Sequence, residues 1–157
     1  MSREDKMQAG FKSIDGLIGR KSALDSIPDS MASKLHDFAV AFPGNPKSES
    51  YLYTATLLSE KNGRLFETAK WCEEYVKLYP TGKYTASAAF AGGFNFEKTG
   101  TYDKAIELYT FFYEKFPKHP QADDARLAVK YLKMGLLTDE EQLEYARKQL
   151  DSSKSKK

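Results

Sequence analysis

Few side chains in this sequence are equipped for covalent or acid–base chemistry, and those few are scattered. There is one cysteine, Cys72, and there are two histidines, His36 and His119. A nucleophilic site needs a Ser, Thr or Cys beside a base, and a structural zinc site needs about four Cys or His ligands. Neither can be assembled from these three residues, and a single cysteine excludes a disulfide framework. His36, followed by Asp37, reads as a polar residue on a helix. His119 lies in a proline-flanked linker, where a response to pH is the chemistry left to it. Cys72 falls on the inward face of its helix and reads as an inert buried thiol. The pairs Asp123-Asp124 and Glu140-Glu141 stand at helix starts, where negative charge suits the helix dipole. Glu73-Glu74 reads as a solvated face, with Trp71 beside it covering the outer surface between units. The expectation is a protein that is not an enzyme, with no catalytic residue, no cofactor and no metal.

Composition narrows the class further. The chain has 157 residues, 41% hydrophobic and 29% charged, enough for one domain or a short repeat array. Lys and Arg number 24 against 22 Asp and Glu, a net charge of +2. That is too balanced for an electrostatic nucleic-acid binder. No stretch approaches the roughly 18 apolar residues of a membrane span. Met1–Lys6 has no apolar signal core behind it. The Lys/Ser-rich end, 152-157, has nothing apolar to bury and is expected to be a disordered tail. Aromatics are abundant, with ten Tyr, ten Phe and one Trp.

The elements that must position these residues announce themselves by punctuation. Phe42-Pro43, Tyr79-Pro80 and Phe116-Pro117 recur every 37 residues, and Lys61-Asn62-Gly63 and Lys98-Thr99-Gly100 keep the same period. A fixed period of this size signals stacked supersecondary units. Within each unit the apolar spacing gives two helices. Tyr51, Leu52, Ala55 and Leu58 precede Gly63, and Leu65, Ala69, Cys72, Val76 and Tyr79 follow it. Ala89, Gly92, Gly93 and Phe96 precede Gly100, and Tyr102, Ala105, Tyr109, Phe112 and Phe116 follow it. The glycine ends the first helix in a left-handed conformation and the proline ends the second. Pro46 and Pro120 suit the first turn of a helix. Thr138 with Glu141 forms a capping box launching Gln142–Leu150, whose Leu143, Ala146 and Leu150 share a face. Asp29-Ser30 is placed to cap Met31–Phe42. A short helix is expected around Lys6–Ile18 and a loop from Gly19 to Pro28.

The unit Ala89…Gly93-Phe94-Asn95-Phe96…Gly100-Thr101-Tyr102-Asp103-Lys104-Ala105…Tyr109…Phe112…Phe116-Pro117 resembles a tetratricopeptide repeat. It shows the small residue in the first helix, Gly-x-Tyr-x-x-Ala at the turn and the closing Pro. The resemblance implies an all-α fold, a right-handed superhelix of antiparallel helix hairpins with seven to eight helices. Residues 1-28 would form an N-terminal helix and loop. Residues 29-151 would form the repeat domain, with a half-repeat at 29-43 and repeats at about 49-80, 86-117 and 123-151. Gly93 and Ala105 would let the helix backbones approach, and Tyr102, Tyr109 and Phe112 would fill the space between them. The period exceeds the usual 34 because residues are added after each Pro. The linker with Ala122-Asp123-Asp124-Ala125 resembles the exported cell-envelope branch of the family, which includes outer-membrane assembly lipoproteins and the Tol-Pal coordinator. That resemblance implies a periplasmic or outer-membrane-associated protein whose signal segment was removed, and otherwise a cytoplasmic one. A membrane tether would require a lipidated cysteine upstream of Met1.

In tetratricopeptide arrays the first helices of successive units line a concave groove that holds a peptide. The resemblance places Tyr53, Leu57, Glu60 and Lys61 there from the first unit, Phe90, Phe94, Glu97 and Lys98 from the second, and Leu127, Tyr131 and Met134 from the third. Tyr53/Leu57, Phe90/Phe94 and Leu127/Tyr131 each lie four apart and share a helix face. This ladder suits a protein or peptide partner held by apolar anchors, with Glu60, Lys61, Glu97 and Lys98 setting register at the rim. The same stripe also fits a core covered by the N-terminal segment. Groove positions that hold basic residues in chaperone-tail binders are here Tyr53, Thr54, Leu57, Ala91, Asp124 and Ala128, which argues against a carboxylate clamp. The alternative is a homo-oligomer stacked through repeat faces; polar residues Gln142, Glu144, Arg147 and Lys148 would cap the C-terminal end against it.

Overall fold

The computed structural model describes residues 1–12, 14–18 and 21–155, and its elements follow the repeat period closely. The helices are α1 (Arg3–Ala9), α2 (Met31–Ala41), α3 (Ser48–Lys61), α4 (Leu65–Leu78), α5 (Thr85–Lys98), α6 (Tyr102–Lys115), α7 (Ala122–Gly135) and α8 (Asp139–Ser155). Two 3₁₀ turns, Asp15–Leu17 and Lys21–Ser26, precede α2. No strand occurs among the described residues, so the fold is all-α. α3, α5 and α7 begin 37 residues apart, as do α4, α6 and α8. From α2 to α7 each helix packs chiefly on its neighbours in the chain, which is the architecture of a helical solenoid.

The two sharp turns are made as expected. Gly63 and Gly100 have φ of 74° and 78°, and no other described residue has positive φ. Each lets the chain reverse while Arg64 and Thr101 donate their N–H to Ser59 and Phe96 carbonyls. Gly100→Ala is expected to cost about 1 kcal/mol, because an L side chain is strained at positive φ. Gly44→Ala, where φ is ordinary and a Cβ meets nothing within 4 Å, should be close to neutral. Urea unfolding of both variants checks this.

The period extends into the packing. Phe38, Tyr75 and Phe112 are fully buried at equivalent places, each against the aromatic residue four positions on. The ring centroids lie 5.2 Å apart for Phe38–Phe42, 5.3 Å for Tyr75–Tyr79 and 6.0 Å for Phe112–Phe116. Between units, volume is traded. In the second unit the Tyr109 ring fills the gap against Gly93, where a Cβ would sit 2.8 Å from a ring carbon. The first unit solves the same contact with Thr56 and Cys72, a larger residue facing a smaller one. Total volume is kept, which close-packed interiors require.

The linkers show a second exchange. At each one, a backbone N–H beside the coming helix needs an acceptor. Asn45 Oδ1 takes the Lys47 N–H at 2.9 Å, and His119 Nδ1 takes the Gln121 N–H at 3.1 Å. The middle unit has Gly82 at that place, and there the Tyr75 hydroxyl takes the Tyr84 N–H at 2.9 Å. The same hydroxyl donates to Glu49 Oε1 at 2.7 Å, which also accepts the Lys83 N–H at 2.6 Å. A Cβ on Gly82 would lie 2.8 Å from that hydroxyl and 2.5 Å from Glu49 Oε1. Glycine is therefore what makes room for tyrosine.

Several expectations are corrected. The N-terminal helix is Arg3–Ala9 rather than Lys6–Ile18, started by a reciprocal Ser2/Asp5 capping box. The stretch expected to be a loop contains the Lys21–Ser26 3₁₀ turn, with Gly19 and Arg20 outside the described residues. Ser30 makes no side-chain cap to α2; Asp29 instead pairs with Lys61 at 3.8 Å. Pro46 and Pro120 stand two residues before their helices, in the preceding turn. The tail is not irregular throughout, because α8 runs to Ser155; residues 156 and 157 lie outside the described set. Glu73-Glu74 is a tie rather than a solvated face: Lys104 Nζ donates to both Glu73 oxygens at 2.8 and 2.9 Å, and His36 bonds Glu74 at 3.0 Å. His36 also stacks on Trp71 at 4.4 Å, joining α2 to α4.

The third unit departs most. Its α8 begins at the Thr138/Glu141 capping box, with bonds of 2.8 and 3.2 Å. Leu137 stands where Gly63 and Gly100 stand in the other units, and its backbone is not left-handed. Without that residue α8 does not lie back along α7, and the open face of α7 presents exposed Arg126, Lys130 and Lys133. Those charges, rather than Gln142, Glu144, Arg147 and Lys148, solvate the end of the packed array.

Candidate binding groove

Two open hollows lie side by side on one surface of the array and share Phe94. The first encloses about 490 Å³ between α3 and α5, with Tyr53, Leu57, Glu60, Phe90 and Phe94 in its lining. The second encloses about 540 Å³ between α5 and α7, lined by Phe94, Glu97, Lys98, Tyr102, Tyr131 and Leu132. Their position follows from the sequence locally. Residues four apart on α3 and α5 share a face, and the opposite faces carry Leu52, Ala55, Ala89 and Phe96 into the core.

The aromatic side chains differ in how free they are. Phe94 is 42% exposed, with the Lys98 ammonium 4.5 Å from its ring centre. Tyr131 is 62% exposed. Phe90 is half-buried and makes edge-to-face contacts with Tyr109 at 5.6 Å and Phe112 at 5.3 Å. Tyr53 stacks flat on Tyr84 at 4.1 Å. Burial raises the Tyr53 phenol pKa above its ordinary value, so it is a neutral donor at physiological pH. Phe90 and Tyr53 thus form the floor, and Phe94 and Tyr131 stand free above it.

Eight of the eleven expected residues come together here. The other three do not. Lys61 is engaged elsewhere, 2.9 Å from Asp25 and 3.8 Å from Asp29, so it holds the segment before α2 rather than the rim. Leu127, 49% exposed, lies outside both hollows, and Met134 is half-buried with its carbonyl accepting from Gln142. Glu97 lines the second hollow but accepts the Tyr109 hydroxyl at 2.8 Å, which ties its charge to the core. Residues not anticipated include His119, Gln121 and Asn95 in the first hollow and Tyr102 in the second. Tyr102 was expected between helices and is instead 42% exposed. The linker period could have found His119, since it brings each post-proline turn beside the next first helix.

The N-terminal segment does not line either hollow. Phe11 packs edge-on to Phe38 at 5.5 Å and Tyr51 at 5.0 Å. Asp15 accepts the Tyr51 hydroxyl at 2.6 Å and pairs with Lys47 at 2.5 Å. The segment therefore closes the N-terminal end of the array, beside α2 and α3. Cys72 is buried and its thiol is pushed up to about 12, chiefly by burial, which makes it inert at neutral pH. Among the described residues no three His, Cys, Asp or Glu side chains converge as a metal site, and no helix is long and apolar enough to cross a membrane. No family model matches the chain, and no curated protein matches it.

Proposed function

We propose that this protein is a non-catalytic binding scaffold of the tetratricopeptide kind, which holds a partner peptide across the two hollows that meet at Phe94. The observation that carries this reading is the adjacency of two open hollows that share exposed Phe94, the first mixing Tyr53, Leu57 and Phe90 with polar Glu60, Asn95 and His119, the second bearing exposed Tyr131. Adjoining recesses that combine aromatic side chains with a few polar groups are the usual form of a recognition site. An amphipathic helix or extended segment would place one side chain in each hollow, with Lys98 and Glu60 choosing its direction. The linker resemblance assigns the task to the bacterial cell envelope, in assembly or maintenance.

The test uses Phe94, because Phe90 also supports the core. Phe94→Ala is expected to weaken peptide capture at least about tenfold while thermal stability moves little, as for a central aromatic anchor. Selection of peptides from a displayed library on the wild-type protein, followed by titration on the variant, measures it. Peptides that bind wild type and variant equally would place the recognition surface elsewhere.

A further inference from the structure

We propose that the first hollow receives the guanidinium of an arginine in the partner peptide, held by Glu60 and Asn95 among the rings of Tyr53, Phe90 and Phe94. This rests on the groove reading above and names the chemistry of its ligand. The residues lining that hollow include no Lys or Arg, and Glu60 is their one carboxylate. His119 adds no cation, because its Nδ1 lone pair accepts the Gln121 N–H at 3.1 Å.

The repeat period shows both polar groups to be exceptions. Glu60 corresponds to Glu97, whose carboxylate accepts the Tyr109 hydroxyl at 2.8 Å. The counterpart of Tyr109 is Cys72, whose thiol is a weak donor, and Glu60 makes no hydrogen bond or ion pair among the described residues. Asn95 stands where the units on either side have Leu58 and Leu132. It is 2% exposed, and its Nδ2 donates to the Ala91 carbonyl at 2.8 Å. That leaves Oδ1 without a partner among the described residues. Thr54 Oγ1 is the one unpartnered side-chain atom among them that is sealed from solvent, so Asn95 Oδ1 opens on the hollow that Asn95 lines. An amide buried where leucine would pack costs stability unless its acceptor is used.

A free carboxylate, a free amide oxygen and three aromatic rings all favour a cation that donates hydrogen bonds. Guanidinium fits best. It is planar and weakly hydrated, it stacks on rings, and it can donate to Glu60 and Asn95 at once. The methylene stem of arginine would pack on Leu57. An acidic side chain would meet Glu60 as a like charge.

The experiment selects peptides from a displayed library on the full wild-type chain and titrates the synthetic peptides. They are expected to share an arginine at one fixed position. Replacing it by citrulline, the same shape without the charge, should weaken binding to wild type about tenfold and leave binding to Glu60→Gln unchanged. Asn95→Leu restores the residue of the neighbouring units. It should raise the urea midpoint while weakening the arginine peptide about tenfold, a trade that a merely structural asparagine would not show. Peptides without a fixed arginine, or full affinity for either Glu60→Gln or Asn95→Leu, overturn the proposal. Peptides that lack arginine yet lose binding on Phe94→Ala overturn the arginine assignment alone, whereas peptides indifferent to Phe94→Ala overturn the groove reading as well.

Discussion

Gly82→Asn is expected to destabilise the array by about 3 kcal/mol, although asparagine occupies the equivalent place one unit earlier. The reason lies in Tyr75. Its hydroxyl fills the space where the first linker holds the Asn45 side chain and the third holds His119, and it supplies the acceptor those side chains supply. Adding a side chain at 82 puts a Cβ 2.8 Å from that hydroxyl and 2.9 Å from the Tyr79 Cβ. Tyr75→Phe alone should cost about 1–2 kcal/mol, because the Tyr84 N–H loses its partner. The double variant Tyr75→Phe/Gly82→Asn reproduces the arrangement of the first linker and should be more stable than Gly82→Asn by itself. Urea unfolding followed by circular dichroism gives the coupling directly. Strictly additive costs would mean the two positions are independent, contrary to the geometry.

Alkaline pH is expected to unfold the protein steeply. Burial, followed by hydrogen bonds donated to Asp15, Glu49 and Glu97, raises the pKa of Tyr51, Tyr75 and Tyr109 well above the ordinary 10.0. Burial also lifts the Cys72 thiol from 9.0 to about 12. The unfolded chain releases these protons from about pH 9 to 10 upward, whereas the folded chain keeps them. The unfolded state then binds fewer protons, so stability is intact below pH 9 and falls above it. The slope is about 1.4 kcal/mol per pH unit for each group that has passed its unfolded pKa. With all four contributing, one to two units above pH 10 remove most of an ordinary domain stability of about 5–15 kcal/mol. Melting temperatures measured from about pH 8 to 11.5 check this, and Cys72→Ala should delay the onset. A melting temperature flat to pH 11 would mean the phenols and the thiol titrate freely in the folded protein.

Much of the architecture could be read from the sequence because its signals are local. Gly63 and Gly100 mark turns by a conformation other residues avoid, and the aromatic-Pro pairs mark helix ends. The third unit departs from the pattern for the same local reason: α8 has a good capping box and an apolar face, and the leucine at 137, in place of glycine, is the local sign that it does not fold back. The groove was legible where face and period agree, at Tyr53, Leu57, Phe90 and Phe94. It was not legible where a contact crosses units. Lys61 has the spacing of a rim residue, yet Asp25 and Asp29 reach it from a segment with no periodicity. Tyr102 has the spacing of a core residue, yet it sits at the first turn of α6, beyond the close-packed part of the hairpin.

Contacts that run almost wholly between helices adjacent in the chain have a mechanical consequence. Among the described residues no strand ladder or distant pairing clamps one end of the array to the other, so tension applied at the ends loads the helix interfaces one after another. Extension should begin with α8, held at its start by the Gln142 bonds to the Met134 and Leu137 carbonyls, and proceed inward in steps of a single helix. The array is thus a short spring, compliant along its length, able to lengthen under load and recoil unit by unit.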